Sequence, residues 1–141
     1  MTILSSSADL RSLLSRAKTI AVVGLSANAG RDSHRVAAYL QAHGYRILAV
    51  NPNHSWILGE RSYANLEDVP EEERRRVDIV NVFRRPEAAA QVAREAARLK
   101  VPAIWFQLGV ATPEALVEAD RAGMAVVADR CIQVAHQLLF R

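Results

Sequence analysis

The 141-residue sequence predicts a single-domain, three-layer α/β fold built on a doubly wound, mainly parallel sheet. Three observations lead there. Short β-branched runs alternate with helical patterns along the whole chain, at 19–24, 46–50, 78–82, 103–106 and 125–128. These runs are near-continuously apolar instead of alternating, as expected of strands buried on both faces. Each run then empties into a loop of small and polar residues, at 24–33, 51–55, 83–86, 107–112 and 129–131. In a doubly wound sheet such loops gather at the carboxyl edge, where ligands bind at the point of strand reversal. The five loops are expected to converge on one crevice, in a Rossmann-like domain.

The elements follow in order. Residues 8–17 place Leu10, Leu13, Leu14 and Ala17 on one helical face, with Asp9 near the start. This N-terminal helix, within residues 1–18, is expected to pack on the domain. The first strand spans 19–24, and a helix runs from about 33 to 43 with Gly44 as its stop. The second strand, 46–50, closes on Asn51-Pro52-Asn53. Residues 54–66 read as irregular, with a short edge strand near 61–63, and a short helix occupies 70–76. The strand at 78–82 leads to a helix over 86–99 opened by Pro86. The strand at 103–106 leads through Gln107-Leu108-Gly109 to a helix with Thr112 as N-cap and Pro113 at its first position, ended by Gly123. A strand at 125–128 and a helix near 130–140 complete the chain.

Bulk properties narrow the function classes. Half the residues are apolar and 23% are charged, which excludes a disordered chain. No apolar run approaches the roughly 18 residues of a membrane span, and the first 18 residues lack the pattern of a signal peptide. A cytoplasmic location is the expectation. The one cysteine, Cys131, fits a reducing compartment. The formal charge is +3 and the basic residues are sixteen Arg against two Lys. Nucleic acid is not the expected partner: the cations are interspersed with acids, and the dense run at 71–76 alternates sign as a solvated helix face does.

The stretch from Thr19 to Ser33 carries the functional signal. A strand, a small-residue loop and a helix start are the layout of a phosphate-binding turn. Unpaired N–H groups and the helix dipole there favour an anion. Gly24 and Gly30 let the backbone approach a ligand, and Ser26, Ala27, Asn28, Arg31 and Ser33 complete the turn. A dinucleotide fingerprint would place a third glycine between Gly24 and Gly30 and an acid after the second strand. Neither is present, since Asn51-Pro52-Asn53 stands at the acid's place. Arg31 and His34 near the loop suit a ligand with an extra phosphate on or near its ribose, which points to NADP or coenzyme A.

The motifs Ala21-Val22-Val23-Gly24-Leu25-Ser26, Arg31 with Ser33, Gly44-Tyr45-Arg46 with Val50-Asn51-Pro52, and Leu58-Gly59-Glu60 stand in order. Asp78-Ile79-Val80 with Phe83-Arg84-Arg85-Pro86, Trp105-Phe106-Gln107-Leu108-Gly109 and Asp129-Arg130-Cys131-Ile132 follow. In these motifs the chain resembles the small stand-alone CoA-binding proteins, which are similar to the N-terminal nucleotide-binding domain of the succinyl-CoA synthetase alpha subunit. The resemblance covers nearly the whole chain. It implies a Rossmann-like fold with CoA or an acyl-CoA across the carboxyl edge. Ser26, the 26–33 backbone and Arg31 would hold phosphate. Asn51, Pro52, Phe83 and Arg84 would line the adenosine and diphosphate region, and the stretch from Trp105 through Gln107 to Gly109 would flank the pantetheine path. Family members often carry an acid where this chain has Ala135, so any role of that carboxylate is absent here. Synthetase activity is not implied, because its phosphorylated histidine belongs to a second domain.

Each of these residues also has a plainer reading. Asn51-Pro52 makes a turn in any case, and Arg84 and Arg85 sit at a helix start, where a cation is unfavourable unless an anion joins it. Trp105 reads as core and Gln107 as the better pocket candidate. Cys131, at a helix start, is either a reactive thiol or, the favoured reading, a buried structural one. The four histidines show no metal-ligand spacing, and no catalytic set can be assembled. Binding of CoA without turnover is therefore the expectation, with possible homo-oligomerisation. An NADP-dependent oxidoreductase is the alternative. A DNA-binding redox regulator is disfavoured, since the 18 residues before the first strand hold one helix.

Overall fold

The structure is a computed structural model, and it describes residues 3–141. Along the chain run α1 (Ser7–Arg16), β1 (Thr19–Val23), α2 (Asp32–Ala42), β2 (Arg46–Val50), β3 (Trp56–Ile57), β4 (Glu60–Tyr63), a 3-10 turn (Leu66–Asp68) and α3 (Glu71–Arg74). They are followed by β5 (Ile79–Val82), α4 (Pro86–Arg98), β6 (Ala103–Phe106), α5 (Pro113–Arg121), β7 (Ala125–Ala128) and α6 (Ile132–Leu139). The sheet order is β3-β4-β2-β1-β5-β6-β7, with every pairing parallel except β3 with β4.

This order reverses at β1. The chain moves outward through β2 and β4, then returns to the other side of β1 as β5 and moves outward again. Crossovers of one hand then place helices on opposite faces for the two directions. Strand alternation sorts the core accordingly. Ala21, Val23, Val80, Val82, Ile104 and Phe106 face α4 and α5, whose alanines (Ala89, Ala93, Ala96, Ala115, Ala119) let the helices sit close. Ile20, Val22, Ile47, Ile79 and Trp105 face the opposite layer, with Leu10 and Leu14 of α1, Val36 and Leu40 of α2 and Ile132 of α6. β1, β2, β5, β6 and the edge strand β7 thus carry apolar side chains toward both layers, with Thr19 and Asn81 as buried polar exceptions.

Three helices end in the same turn. After α2, Gly44 N–H and Tyr45 N–H donate to the carbonyls of Gln41 and Leu40; after α5, Gly123 and Met124 donate to Asp120 and Ala119. After α4, Lys100 and Val101 donate to Ala97 and Ala96. All three turns need a left-handed residue. Gly44 (φ 93°) and Gly123 (φ 75°) supply it without strain, whereas Lys100 takes φ 58° with a side chain attached.

The stretch expected to be irregular, 54–66, contains a hairpin instead. Its two-residue loop is Leu58-Gly59, with φ of 55° and 75°. Two successive positive φ values define the turn that matches strand twist, and its usual signature begins with Asn or Asp. Leucine in that position conceals the hairpin in the sequence. The short edge strand expected near 61–63 is β4. Helix limits fall within a residue or two of expectation throughout, α3 covering four residues within the expected 70–76.

On the α2–α6 side a ring cluster ties the helix ends together. His136 Nδ1 lies 2.7 Å from the Tyr39 hydroxyl, His136 stacks on Phe140 at 4.7 Å, and the His43 ring is 5.2 Å away. Burial, reinforced by the charge of a protonated His43, pushes the His136 pKa down. The unfolded chain therefore takes up this proton first as pH falls below about 6.5. The stabilisation is complete above that pH and is lost on acidification toward the lower folded value. Replacing His136 with Phe is expected to flatten the fall in melting temperature between pH 7.5 and 5 relative to the unmodified chain; parallel profiles would show that His136 does not carry this dependence.

Candidate functional site

Where strand order reverses, β1 and β5 come very close at their carboxyl ends. Gly24 N–H donates to the Val50 carbonyl (2.9 Å), and Phe83 N–H donates to the Val23 carbonyl (2.8 Å). A Cβ on Gly24 would sit 2.0 Å from the Phe83 carbonyl oxygen and 3.0 Å from Cδ of Arg84. Glycine is obligatory there for a steric reason as well as for its φ of 88°.

Beyond Gly24 the chain builds a turn from its own polar groups. Ser26 N–H donates to Ser33 Oγ (2.9 Å), Asn28 N–H to Ser26 Oγ (3.0 Å) and Gly30 N–H to Asn28 Oδ1 (2.8 Å). These bonds use the side chains of Ser26, Asn28 and Ser33 to hold the loop, and with Arg31 N–H on the Asn28 carbonyl (3.0 Å) they occupy the amides of residues 26, 28, 30 and 31. Arg31 stands at the N-cap of α2 and makes no side-chain cap bond. α1 and α5 are capped, by Ser6 and Thr112. Of the helices that start at the carboxyl edge, α2, α4 and α6 have no side-chain cap, and their N-cap residues are Arg31, Arg85 and Cys131. Their first-turn N–H groups receive no side-chain cap, while Asp32 and Glu87 place a carboxylate in the first turns of α2 and α4, and α6 has none.

Two cavities share this edge. One, about 400 Å³, is lined by Gly24, Ser26, Gly30, Arg31, Asp32, Ser33 and Phe83. The second, about 510 Å³, is bordered by Phe83, Arg84, Arg85 and Gln107, together with Leu108, Val110, Cys131 and Val134. Phe83 and Asp32 belong to both, so a polar compartment at the turn continues into an apolar one between α2 and α6. Arg31 and Arg85 have no ion pair among the described residues, whereas Asp32 is paired with Arg35 at 2.8 Å. On the other face of the sheet, Arg84 also borders a cavity of about 290 Å³ with Asn65, Gln91 and Glu95. Burial, followed by the charge of Glu67, raises the Glu95 pKa.

The expected residues fall into three groups. Gly24, Ser26, Arg31, Ser33, Phe83, Arg84, Arg85 and Gln107 line the paired cavities. Ala27 and Asn28 lie in the turn without lining either. Asn51 works as a brace: its Nδ2 donates to the Leu25 carbonyl (2.8 Å), and its Oδ1 accepts from Asn53 N–H (2.8 Å). Pro52 and Gly109 border neither cavity, and Gly109 N–H is held by Asp129 Oδ1 at 2.8 Å. The loop over 51–55 thus supports the crevice from beside it.

Trp105, expected in the core, lies fully buried there with Nε1 donating to the Arg130 carbonyl (2.9 Å). Cys131 is half-buried and borders the apolar cavity, so the expectation of a buried thiol is only partly met. Asn81, fully buried on β5, is absent from the expected set; its Oδ1 accepts from Gln107 Nε2, while its own Nδ2 has no acceptor. A polar residue inside an apolar strand is the signal that could have found it. Arg35 and Val36 are also additions, although they lie one helical turn from Asp32. No cluster that would hold a metal ion exists among the described residues, and no helix there is long and apolar enough to cross a membrane.

Known proteins share this geometry. The profile of the CoA binding domain family matches residues 18–137. The uncharacterized protein YneT of Bacillus subtilis (strain 168) is 40% identical over 131 residues, which is 93% of this chain and 94% of that protein. The structure of cell-free ID.343 from Thermus thermophilus is similar with a TM-score of 0.88 and 40% identity, covering 96% of this chain and 100% of that one. A hypothetical protein from Pyrococcus horikoshii OT3 gives a TM-score of 0.91 and 33% identity over 97% and 94% of the two chains. The dinucleotide-forming acetyl-coenzyme A synthetase 1 of Ca. Korarchaeum cryptofilum shares the fold alone, at 19% identity and a TM-score of 0.64, with 25% of that chain covered.

Substituting Gly24 with Ala tests the close approach. Overpacking costs about 1–3 kcal/mol and a left-handed non-glycine residue about 1–2 kcal/mol more, so chemical denaturation is expected to show a loss of about 3 kcal/mol. A variant as stable as the parent would mean that β1 and β5 are not held in this contact.

Proposed function

The chain belongs to the CoA binding domain family, and from that premise we propose that it binds coenzyme A, or an acyl-CoA, across the carboxyl edge of its sheet as a binding module without turnover of its own. The observation that carries the reading is the paired cavity. Its polar compartment ends on an uncapped helix start with Arg31 free of any carboxylate, and its other compartment is bordered by Phe83, Leu108, Val110 and Val134. Coenzyme A has matching halves, phosphates at one end and a less polar arm ending in a thiol at the other.

In this reading the 26–33 backbone and Arg31 take phosphate oxygens, the guanidinium in a forked, charge-assisted pair. Arg84 and Arg85 add positive charge where α4 begins. Phe83, at the junction, bounds the route between compartments, and Gln107 borders the apolar one with its Nε2 committed to Asn81 Oδ1. Asn51 and Pro52 shape the adenosine side, Asn51 by holding Leu25 in place. Residues 18–137 account for every one of these positions. The oxidoreductase alternative is not favoured, because the turn lacks the middle glycine and β2 is followed by Asn51.

Calorimetric titration of the chain with CoA, NAD, NADP and ATP tests the proposal. CoA is expected to bind saturably and more tightly than the other three. Arg31→Ala is expected to weaken CoA by about 1.5–3 kcal/mol, roughly ten- to 150-fold. Binding of NADP with no response to CoA would overturn the reading and restore the alternative.

A further inference from the structure

We propose a second anion-binding site, at the amino edge of the sheet, for a small molecule carrying two or more phosphates. It lies across the fold from the crevice and stands independently of the coenzyme A reading.

A cavity of about 550 Å³ opens between α3 and the end of α4, with Arg74, Arg75, Arg98 and Lys100 on its walls. Such a volume suits a small ligand. Several arginines of the described chain have a carboxylate partner: Arg35 with Asp32, Arg46 with Glu73, Arg76 with Glu72, Arg94 with Glu114 and Glu118, Arg98 with Glu67. Others donate to backbone carbonyls, Arg11 to Leu139, Arg16 to Ser12 and Arg130 to Ser5. Arg74, Arg75 and Lys100 have no such partner among the described residues. Arg31, Arg84 and Arg85, at the phosphate-binding turn and its neighbouring helix, share that property, as do the scattered Lys18, Arg61, Arg121 and Arg141. Groups of three such cations gather around a concave surface at the carboxyl-edge crevice and at this cavity, and the first already reads as a phosphate site on other grounds.

Two carboxylates also line the cavity, Glu71 and Asp78. Asp78 is engaged: its Oδ2 accepts N–H bonds from Lys18 (2.8 Å) and Thr19 (3.1 Å). Glu71 is exposed in the first turn of α3. Neither pairs with the free cations.

Two further observations point to an occupant. Arg74 Nε is buried and has no acceptor, a donor that a native structure normally satisfies. Lys100 occupies the left-handed position that closes α4, at φ 58°, where the identical turns after α2 and α5 use Gly44 and Gly123. A strained residue that the chain's own pattern would replace with glycine is a mark of local function. Helix ends attract cations in general, but that attraction does not require lysine at the strained position or leave a guanidinium donor unmet. Guanidinium forks match phosphate oxygens in pairs, so a diphosphate fits this set better than a single carboxylate.

Titration of the isotopically labelled full chain with inorganic pyrophosphate, followed by backbone amide spectra, separates the two sites by position. Saturable shifts are expected at residues 74–78 and 98–101, alongside any at 26–33. Arg75→Gln and Lys100→Gly, the latter installing the residue found in the sister turns, are each expected to weaken the response at 74–78 and 98–101 at least tenfold while leaving that at 26–33 unchanged. Shifts confined to 26–33, shifts at the cavity that rise linearly without saturating, or saturable cavity shifts unaltered in both variants would overturn the proposal. Because the cavity is read separately, failure of the chain to bind CoA leaves these outcomes and their meaning unchanged.

Discussion

The contact between Gly24 and the Phe83 carbonyl governs the rest of the molecule. Strand order reverses there, and the two strands that diverge from it must touch at their carboxyl ends before their loops part. With no Cβ at residue 24, the backbone passes within van der Waals reach of β5 and turns back toward α2. That turn brings the start of α2 over the sheet edge and lets Phe83 border both cavities. A bulkier residue would separate the strands and, with them, the two halves of the crevice.

Around that contact the polar groups divide their labour. Ser26, Asn28 and Ser33 direct their side chains inward to the turn's own backbone, and Asn51 reaches across from β2 to secure Leu25. The amides of residues 26, 28, 30 and 31 are spent inside the turn, so what remains for a ligand is the first-turn N–H groups of α2, its dipole and the Arg31 guanidinium. A site built this way recognises charge and shape before it recognises a base, which suits a ligand bound through its phosphates. α2, α4 and α6 lack side-chain caps at the carboxyl edge, whereas α1 and α5 are capped by Ser6 and Thr112.

Much of this was legible in the sequence because it rests on local rules. Apolar runs bounded by polar loops marked the buried parallel strands, and the position of Gly24 after β1 marked the turn. The hairpin of β3 and β4 was hidden because leucine fills a turn position that asparagine or aspartate usually marks. Asn51 was legible as a crevice residue but not as a brace, since its partner Leu25 is 26 positions away. The apolar compartment was only half visible: Val110 and Val134 come from separate loops and helices and meet Phe83 only through the topology. Asn81 was hidden inside a strand whose neighbours announced core.

Phosphate on the turn between Gly24 and Ser33 is the point on which the site stands or falls. A crystal structure of the chain grown with coenzyme A tests it most directly. The diphosphate is expected within hydrogen-bonding distance of the 26–33 amides not already bonded within the turn and of Arg31, with the pantetheine arm running past Phe83 toward Val134. A ligand seated elsewhere, with the turn's amides facing only solvent, would contradict it.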